Sequence, residues 1–245
     1  MKREVLVQYL NSYLKTAETD DVSDNGLQVE GDLEIRRVAF AVDVCQAAIG
    51  AAIAADAQML IVHHGLFWGR PLLLVGPHRR RVQSLLAAGL SLYAVHLPLD
   101  LHPEVGNNVQ LARLLGLRVT GAFGDVGVKA EADVGLTIGN LVERVESALG
   151  IVPRVQAGGP AKVQHVAIVT GRVPREIAGA ALAGCDTLIT GEPLHDVFHD
   201  PAEYGINVVF AGHYATERVG LKALSSHLKT ELGIETIFID LPTGL

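Results

Sequence analysis

Met59-Leu60-Ile61-Val62-His63-His64-Gly65 decides the reading of the fold. Its first four residues are apolar without alternation, which describes a strand buried on both faces, the mark of a parallel sheet covered by helices. Two histidines follow at once, at the carboxyl end of the strand, where ligands collect in open α/β sheets. Similar apolar runs lie at 38–42 (VAFAV) and 91–95 (SLYAV), with helical patterns over 45–56 and 80–88 between them. Strands of this kind separated by helices predict an α/β fold.

The second half repeats the order. Strands are expected at 166–169, 187–190, 208–211 and 236–239. A helix over 174–183 opens with a proline in its first turn, and a long amphipathic helix covers 213–232. The halves superpose by number. Val38-Ala39 matches Val166-Ala167 and Leu60-Ile61 matches Leu188-Ile189, both 128 residues apart. His96 matches His213, Asp100 matches Glu217, and Leu115-Gly116-Leu117 matches Leu232-Gly233-Ile234, all 117 apart. The offset falls by 11 because the first half has a longer loop, around 67–78. We read two similar, linked α/β units, 1–125 and 126–245, related by a pseudo-two-fold duplication. The Gly- and Asp-rich stretch 121–135 is the expected junction, with elements free to cross it.

The chain has 245 residues, 49% hydrophobic and 19% charged, enough to bury a core. A net charge of -7 argues against broad contact with nucleic acid or anionic membranes. The Arg79-Arg80-Arg81 run reads as a solvated turn before a helix. Two cysteines, Cys45 and Cys185, make no disulfide framework and read as small buried hydrophobes. The N-terminal stretch lacks the form of a signal peptide, and no apolar run of roughly eighteen residues suggests a membrane span. A cytoplasmic protein is the expectation.

Three constellations carry chemistry. His63-His64 leaves its strand with side chains pointing in different directions, so the pair can serve two metals or two sides of one site, and Gly65 is expected to permit the sharp turn that follows. His96-Leu97-Pro98-Leu99-Asp100 follows the strand at 91–95, and His213-Tyr214-Ala215-Thr216-Glu217 follows the strand at 208–211. In a helix the i, i+4 spacing brings imidazole and carboxylate to one face, where they converge on an ion. Imidazole with carboxylate suits Zn, Fe, Mn, Co or Ni. A carboxylate also bridges ions about 3.5–4 Å apart. Glu192, in Thr190-Gly191-Glu192, occupies the place of His64 in the repeat, as a group that supports a ligand from behind, a general base, an added ligand or a helix cap. Phe67 and Trp68 read as a hydrophobic lid, a subunit contact or a base-stacking pair. His102, His165, His199 and His227 read as surface or satisfied core positions.

The motifs at 24–27 (DNGL), 62–65 (VHHG), 96–100 (HLPLD), 106–108 (GNN), 190–192 (TGE) and 212–217 (GHYATE) together resemble the NGG-interacting-factor-three-like family of dinuclear metal-centre proteins, whose bacterial members are labelled "GTP cyclohydrolase 1 type 2 homolog". The resemblance covers essentially the whole chain. It implies His63, His64, Asp100, His213 and Glu217 as ligands of two divalent ions, with Glu217 bridging, and the internal repeat sets the expected site between the two units. It also implies a toroidal homohexamer around an internal cavity. The label implies hydrolytic opening of a guanine ring. We expect a metal-dependent hydrolase acting on a small nucleotide-like substrate, with His96 and Glu192 moving protons. The alternative is a non-enzymatic metal-handling or scaffold assembly.

Overall fold

The computed structural model describes residues 1–172 and 174–245. In chain order the first elements are α1 (Arg3–Leu14), β1 (Gly26–Val29), β2 (Arg37–Asp43), α2 (Gln46–Ala54), β3 (Met59–His64), α3 (Gly76–Ala87), β4 (Ser91–Ala94) and the single turn α4 (Leu97–Asp100). Then come α5 (Asn107–Leu114), β5 (Arg118–Phe123), β6 (Gly127–Glu131), α6 (Ile138–Leu149), β7 (Arg154–Gln156) and β8 (His165–Val169). A 3-10 turn (Pro174–Glu176) leads into α7 (Ile177–Leu182), followed by β9 (Thr187–Thr190), a second 3-10 turn (His195–Val197), α8 (Asp200–Tyr204), β10 (Asn207–Phe210), α9 (His213–Leu232) and β11 (Glu235–Phe238). Among the described residues, no helix is long and apolar enough to cross a membrane.

The chain divides into two compact units. The first joins Met1–Val105 to Gly220–Leu241, and the second joins Gly106–Val219 to Pro242–Leu245. The boundary expected near residue 125 falls inside the second unit, and the chain changes unit within α9. The first unit holds one sheet in the order β1-β4-β3-β2-β11, parallel except for β1, which runs against β4. The second holds β5-β6-β8-β9-β10-β7, with β8, β9 and β10 parallel and antiparallel strands outside them. The strand expected in the second half at 236–239 thus completes the first unit's sheet.

Burial explains why the parallel strands were visible as unbroken apolar runs. In the first unit Ala39, Ala41, Leu60, Val62, Leu92 and Ala94 pack with Ile49, Ala52 and Leu85 of α2 and α3. In the second unit the two faces separate by strand alternation. Val166, Ile168, Ile189 and Val209 meet Leu141, Val145 and Leu149 of α6. Ala167, Leu188, Val208 and Phe210 meet Ile177 and Ala180 of α7. Each large aliphatic side chain so buried contributes about 1.5–3 kcal/mol.

Two departures from the sequence expectation have plain causes. The stretch at 121–135, expected as a junction, is built into the second sheet: its first part forms most of the hairpin of β5 and β6. Nearly all of β5 is exposed, so it carries no buried run to read. Gly65 does not take a positive φ. It is small for packing reasons, since a Cβ there would stand 2.6 Å from the Ala94 Cβ and 2.5 Å from Gln28 Oε1. The helix α6 also lay outside the sequence reading. Its start is capped by Thr137, whose hydroxyl accepts from the Asn140 amide, and its end by Gly150 at φ 67.

The duplication reappears as hydrogen-bond register. Val38 to Ala41 pair with Met59 to Val62, and Val166 to Val169 pair with Thr187 to Thr190, every partner displaced by 128. Met59 to Val62 pair with Ser91 to Ala94, and Thr187 to Thr190 with Asn207 to Phe210. Here Ser91 corresponds to Asn207, an offset of 116, one short of the 117 that aligns the histidines. The extra residue is Gly212, at φ 78, between β10 and His213.

Candidate metal centre

In the first unit three strand-end segments assemble around His63. The side chain of His63 is wholly buried, and its Nδ1–H donates to the Val95 carbonyl at 2.9 Å. His64, half-buried, donates from Nδ1 to Asp43 Oδ1 at 2.8 Å. Asp43 is its register partner on β2, so the pairing of two strands fixes the imidazole. His96 Nδ1 faces both Asp21 oxygens, at 2.9 and 3.1 Å. The ligand atoms of His63, His64 and His96 lie within 4.8 Å of one another. All three Nδ1 atoms face oxygen acceptors, which in the neutral ring places the lone pair on Nε2, the tautomer that binds a metal. Asp100, at the end of α4, is buried, with Oδ2 3.5 Å from His63 Nε2.

Asp21 is the hub of the loop before β1. Its carboxylate also accepts from the Ser23 amide (3.1 Å), Asn25 Nδ2 (2.9 Å) and the Leu97 amide (3.0 Å), while Asn25 Oδ1 accepts from the His96 amide (2.7 Å). Burial, the largest single influence, raises the Asp21 pKa, but the hydrogen bonds from His96, Asn25 and Ser23 outweigh it and hold the carboxyl well below its usual range. Phe67 packs on the core. Trp68 donates to the Gly65 carbonyl at 2.9 Å and stands edge-on to His96 at 5.1 Å between centroids.

In the second unit the first turn of α9 carries the counterpart. His213 Nδ1 lies 2.5 Å from Glu192 Oε1, and its Nε2 lies 3.0 Å from Oε2 of Glu217, one turn on. Burial alone, the largest influence, would lower the His213 pKa. Glu217 and Glu192 together reverse that and lift it to about 9. Two ligand-type atoms facing at 3.0 Å are held by a shared proton or by a shared cation, so the pair suits a metal that replaces the proton. Three glycines make room. A Cβ on Gly171, at φ 74, would stand 2.2 Å from Glu217 Oε1, and one on Gly191 would stand 2.2 Å from the Gly171 carbonyl oxygen. The Gly171 amide donates to Thr216 Oγ1 at 3.1 Å, and Gly212 supplies the positive φ before the helix. Asn108 of the GNN motif holds the same turn, accepting from the Thr170 amide at 2.9 Å.

Of the sequence candidates, His63, His64, His96 and Asp100 lie together in the first unit, and Glu192, His213 and Glu217 in the second. His96, read as a proton carrier, stands among the imidazoles. Asp21, Asp43 and Gly171 were missed. Asp21 had a signal, since it opens the segment that ends in Asn25-Gly26. His102 is a satisfied histidine, with Nε2 donating to the Tyr13 carbonyl (3.0 Å) and Nδ1 accepting from the amides of Glu104 and Val105. His227 bonds the Tyr9 hydroxyl at 2.7 Å and stacks on Tyr13.

Comparison with known proteins adds to this geometry. A family model described as Duf34/NIF3 (NGG1p interacting factor 3) matches residues 1–243. A Deinococcus radiodurans protein named "GTP cyclohydrolase 1 type 2 homolog" is 45% identical over 248 residues, covering 99% of this chain and 94% of that protein. An Archaeoglobus fulgidus protein of the same name is 41% identical, covering 98% of each. The crystal structure of TTHA1606 from Thermus thermophilus is similar at a TM-score of 0.92 and 43% identity, over 100% of both chains.

Proposed function

We infer the function from one premise: the chain belongs to the Duf34/NIF3 (NGG1p interacting factor 3) family. We propose that it binds two divalent metal ions through His63, His64, Asp100, His213 and Glu217, and that it is a metal-dependent hydrolase of a small nucleotide-like substrate. The observation that carries the reading is that His63, His64 and His213 each have Nδ1 against an oxygen acceptor. Orienting acceptors of this kind accompany metal-ligating histidines. The donors are imidazole and carboxylate, which suit Zn, Fe, Mn, Co or Ni. A bound pair of such ions supplies Lewis acidity and activates water near neutral pH.

The chain's own residues then have distinct tasks. Asp43 and Asp21 orient His64 and His96. Glu192 orients His213 by accepting a hydrogen bond from its Nδ1–H and is placed to carry protons. His96, backed by Asp21, is placed to take or give a proton at Nε2. The guanine-ring opening implied by the relatives' name is one case of this chemistry.

A screen of the metal-reconstituted protein against GTP, cyclic dinucleotides and phosphodiesters tests the reading, with Glu217→Ala alongside. Turnover lost in the variant is the expected result. Tight metal binding with no turnover of any substrate sinks the hydrolase and favours a metal-handling assembly. We also propose a cytoplasmic toroidal homohexamer, supported by the family resemblance. Light scattering at the mass of one 26.0 kDa chain overturns that assembly.

A further inference from the structure

The second unit carries a cavity of about 560 Å3 that the ligand candidates do not explain. That volume is typical of small-molecule sites. Leu149, Ile151, Pro193 and Phe210 give it an apolar wall. Arg154 and Arg218 line it as well, and Glu192 is its carboxylate side chain. Both guanidiniums have defined places. That of Arg154 stands 6.0 Å from the Phe198 ring centroid, and Arg218 Nη2 donates to the Leu149 carbonyl. Glu192 belongs to two places at once, since the carboxylate that lines the cavity also takes His213 Nδ1.

The geometry points to a binding site for a small organic anion with a flat or apolar body. The two guanidiniums take the anionic group, since they offer planar, forked donors to phosphate or carboxylate. The apolar wall takes the body, and Glu192 accepts an N–H or O–H from the ligand. The site deepens the hydrolase reading and rests on it for the claim that the ligand is a substrate, because Glu192 is the link to His213.

Calorimetry on the full chain, stripped of metal with chelator, tests binding apart from turnover. The probes are guanosine monophosphate, guanosine and inorganic phosphate. The monophosphate is expected to bind at least about tenfold tighter than either fragment, and Arg154→Ala to weaken it by about tenfold. Arg154 is exposed, so this variant keeps its fold. Arg218→Ala should do the same and is judged beside its melting curve. Equal affinity for guanosine and its monophosphate, no binding of the monophosphate, or unchanged affinity in Arg154→Ala overturns the site. The two proposals fail separately. Monophosphate binding without turnover in the metal-loaded protein removes the hydrolase and keeps the site. Turnover with unchanged KM in both arginine variants removes the site and keeps the hydrolase.

Discussion

The two units place different chemistry on the same strand register. In the first, β3 ends in His63-His64 and β4 leads through Val95 to His96, and the carboxylates Asp21 and Asp43 stand behind imidazoles. In the second, β9 leads to Gly191-Glu192 and β10 to Gly212-His213, so one imidazole lies between two carboxylates. Where the first unit packs side chains around its strand ends, the second opens space with Gly171, Gly191 and Gly212. A duplicated scaffold therefore preserves where the chain turns, while the residue types at the turn are free to change. The first unit gathers three imidazoles, each with its Nδ1 against an oxygen acceptor. The second, without metal, is built to hold a proton on His213.

The sharpest way to break this contrast is to remove an imidazole. His63→Ala should reduce metal affinity by more than the roughly tenfold to hundredfold typical of a lost orienting partner, read as metal content after gel filtration. Asp21→Asn should fall within that tenfold to hundredfold range. It also carries a pH signature. The Asp21 carboxyl is held low in the folded state, so it adds stability above the unfolded-state value of about 3.9, and this is lost as pH falls through the folded value. Melting curves of the variant and the parent should thus differ at neutral pH, begin to approach each other below about pH 4, and meet only as pH falls through the low folded-state value. Parallel curves at every pH refute the assignment.

Gly171→Ala probes the space in the second unit. Backbone strain at its positive φ costs on the order of 1–2 kcal/mol, and the added Cβ meets Glu217 Oε1. Gly184→Ala shares the positive φ, at 79, but its Cβ meets nothing within 4 Å. The first variant should lose both stability and metal, the second stability alone. Equal metal content in the two disproves the tight fit around Glu217. The smallest effect belongs to Glu235→Gln, which cuts the exposed ion pair with Arg37 between β11 and β2. It should change stability by less than about 1 kcal/mol in a chemical denaturation curve.

The parallel strands β2, β3, β4, β8, β9 and β10 could be read from sequence because burial on both faces forces uninterrupted apolar runs. The histidines and their acidic neighbours could be read because they follow those strands. What escaped has little local pattern. The hairpin of β5 and β6 lies at a sheet edge with few buried side chains. Asp21 meets His96 from 75 residues away, and His63 is held by a backbone carbonyl whose side chain carries no hint of the bond. The sheet joined by β11 is a choice among partners far along the chain. The offset of 117 was right for the histidines, yet it hid the inserted Gly212, because matching side chains does not reveal where the backbone gains a residue.

The place of β11 has a consequence for synthesis on the ribosome. The first unit begins at Met1, but its sheet is not complete until Phe238 has emerged. For most of translation β2 presents an open parallel edge, and α9, which starts in the second unit, is the segment that delivers its cover. Domains commonly fold in the order in which they leave the ribosome. Here the first unit's sheet gains its last strand only after every strand of the second unit's sheet has been made, so its exposed edge is a template for wrong pairing throughout the interval.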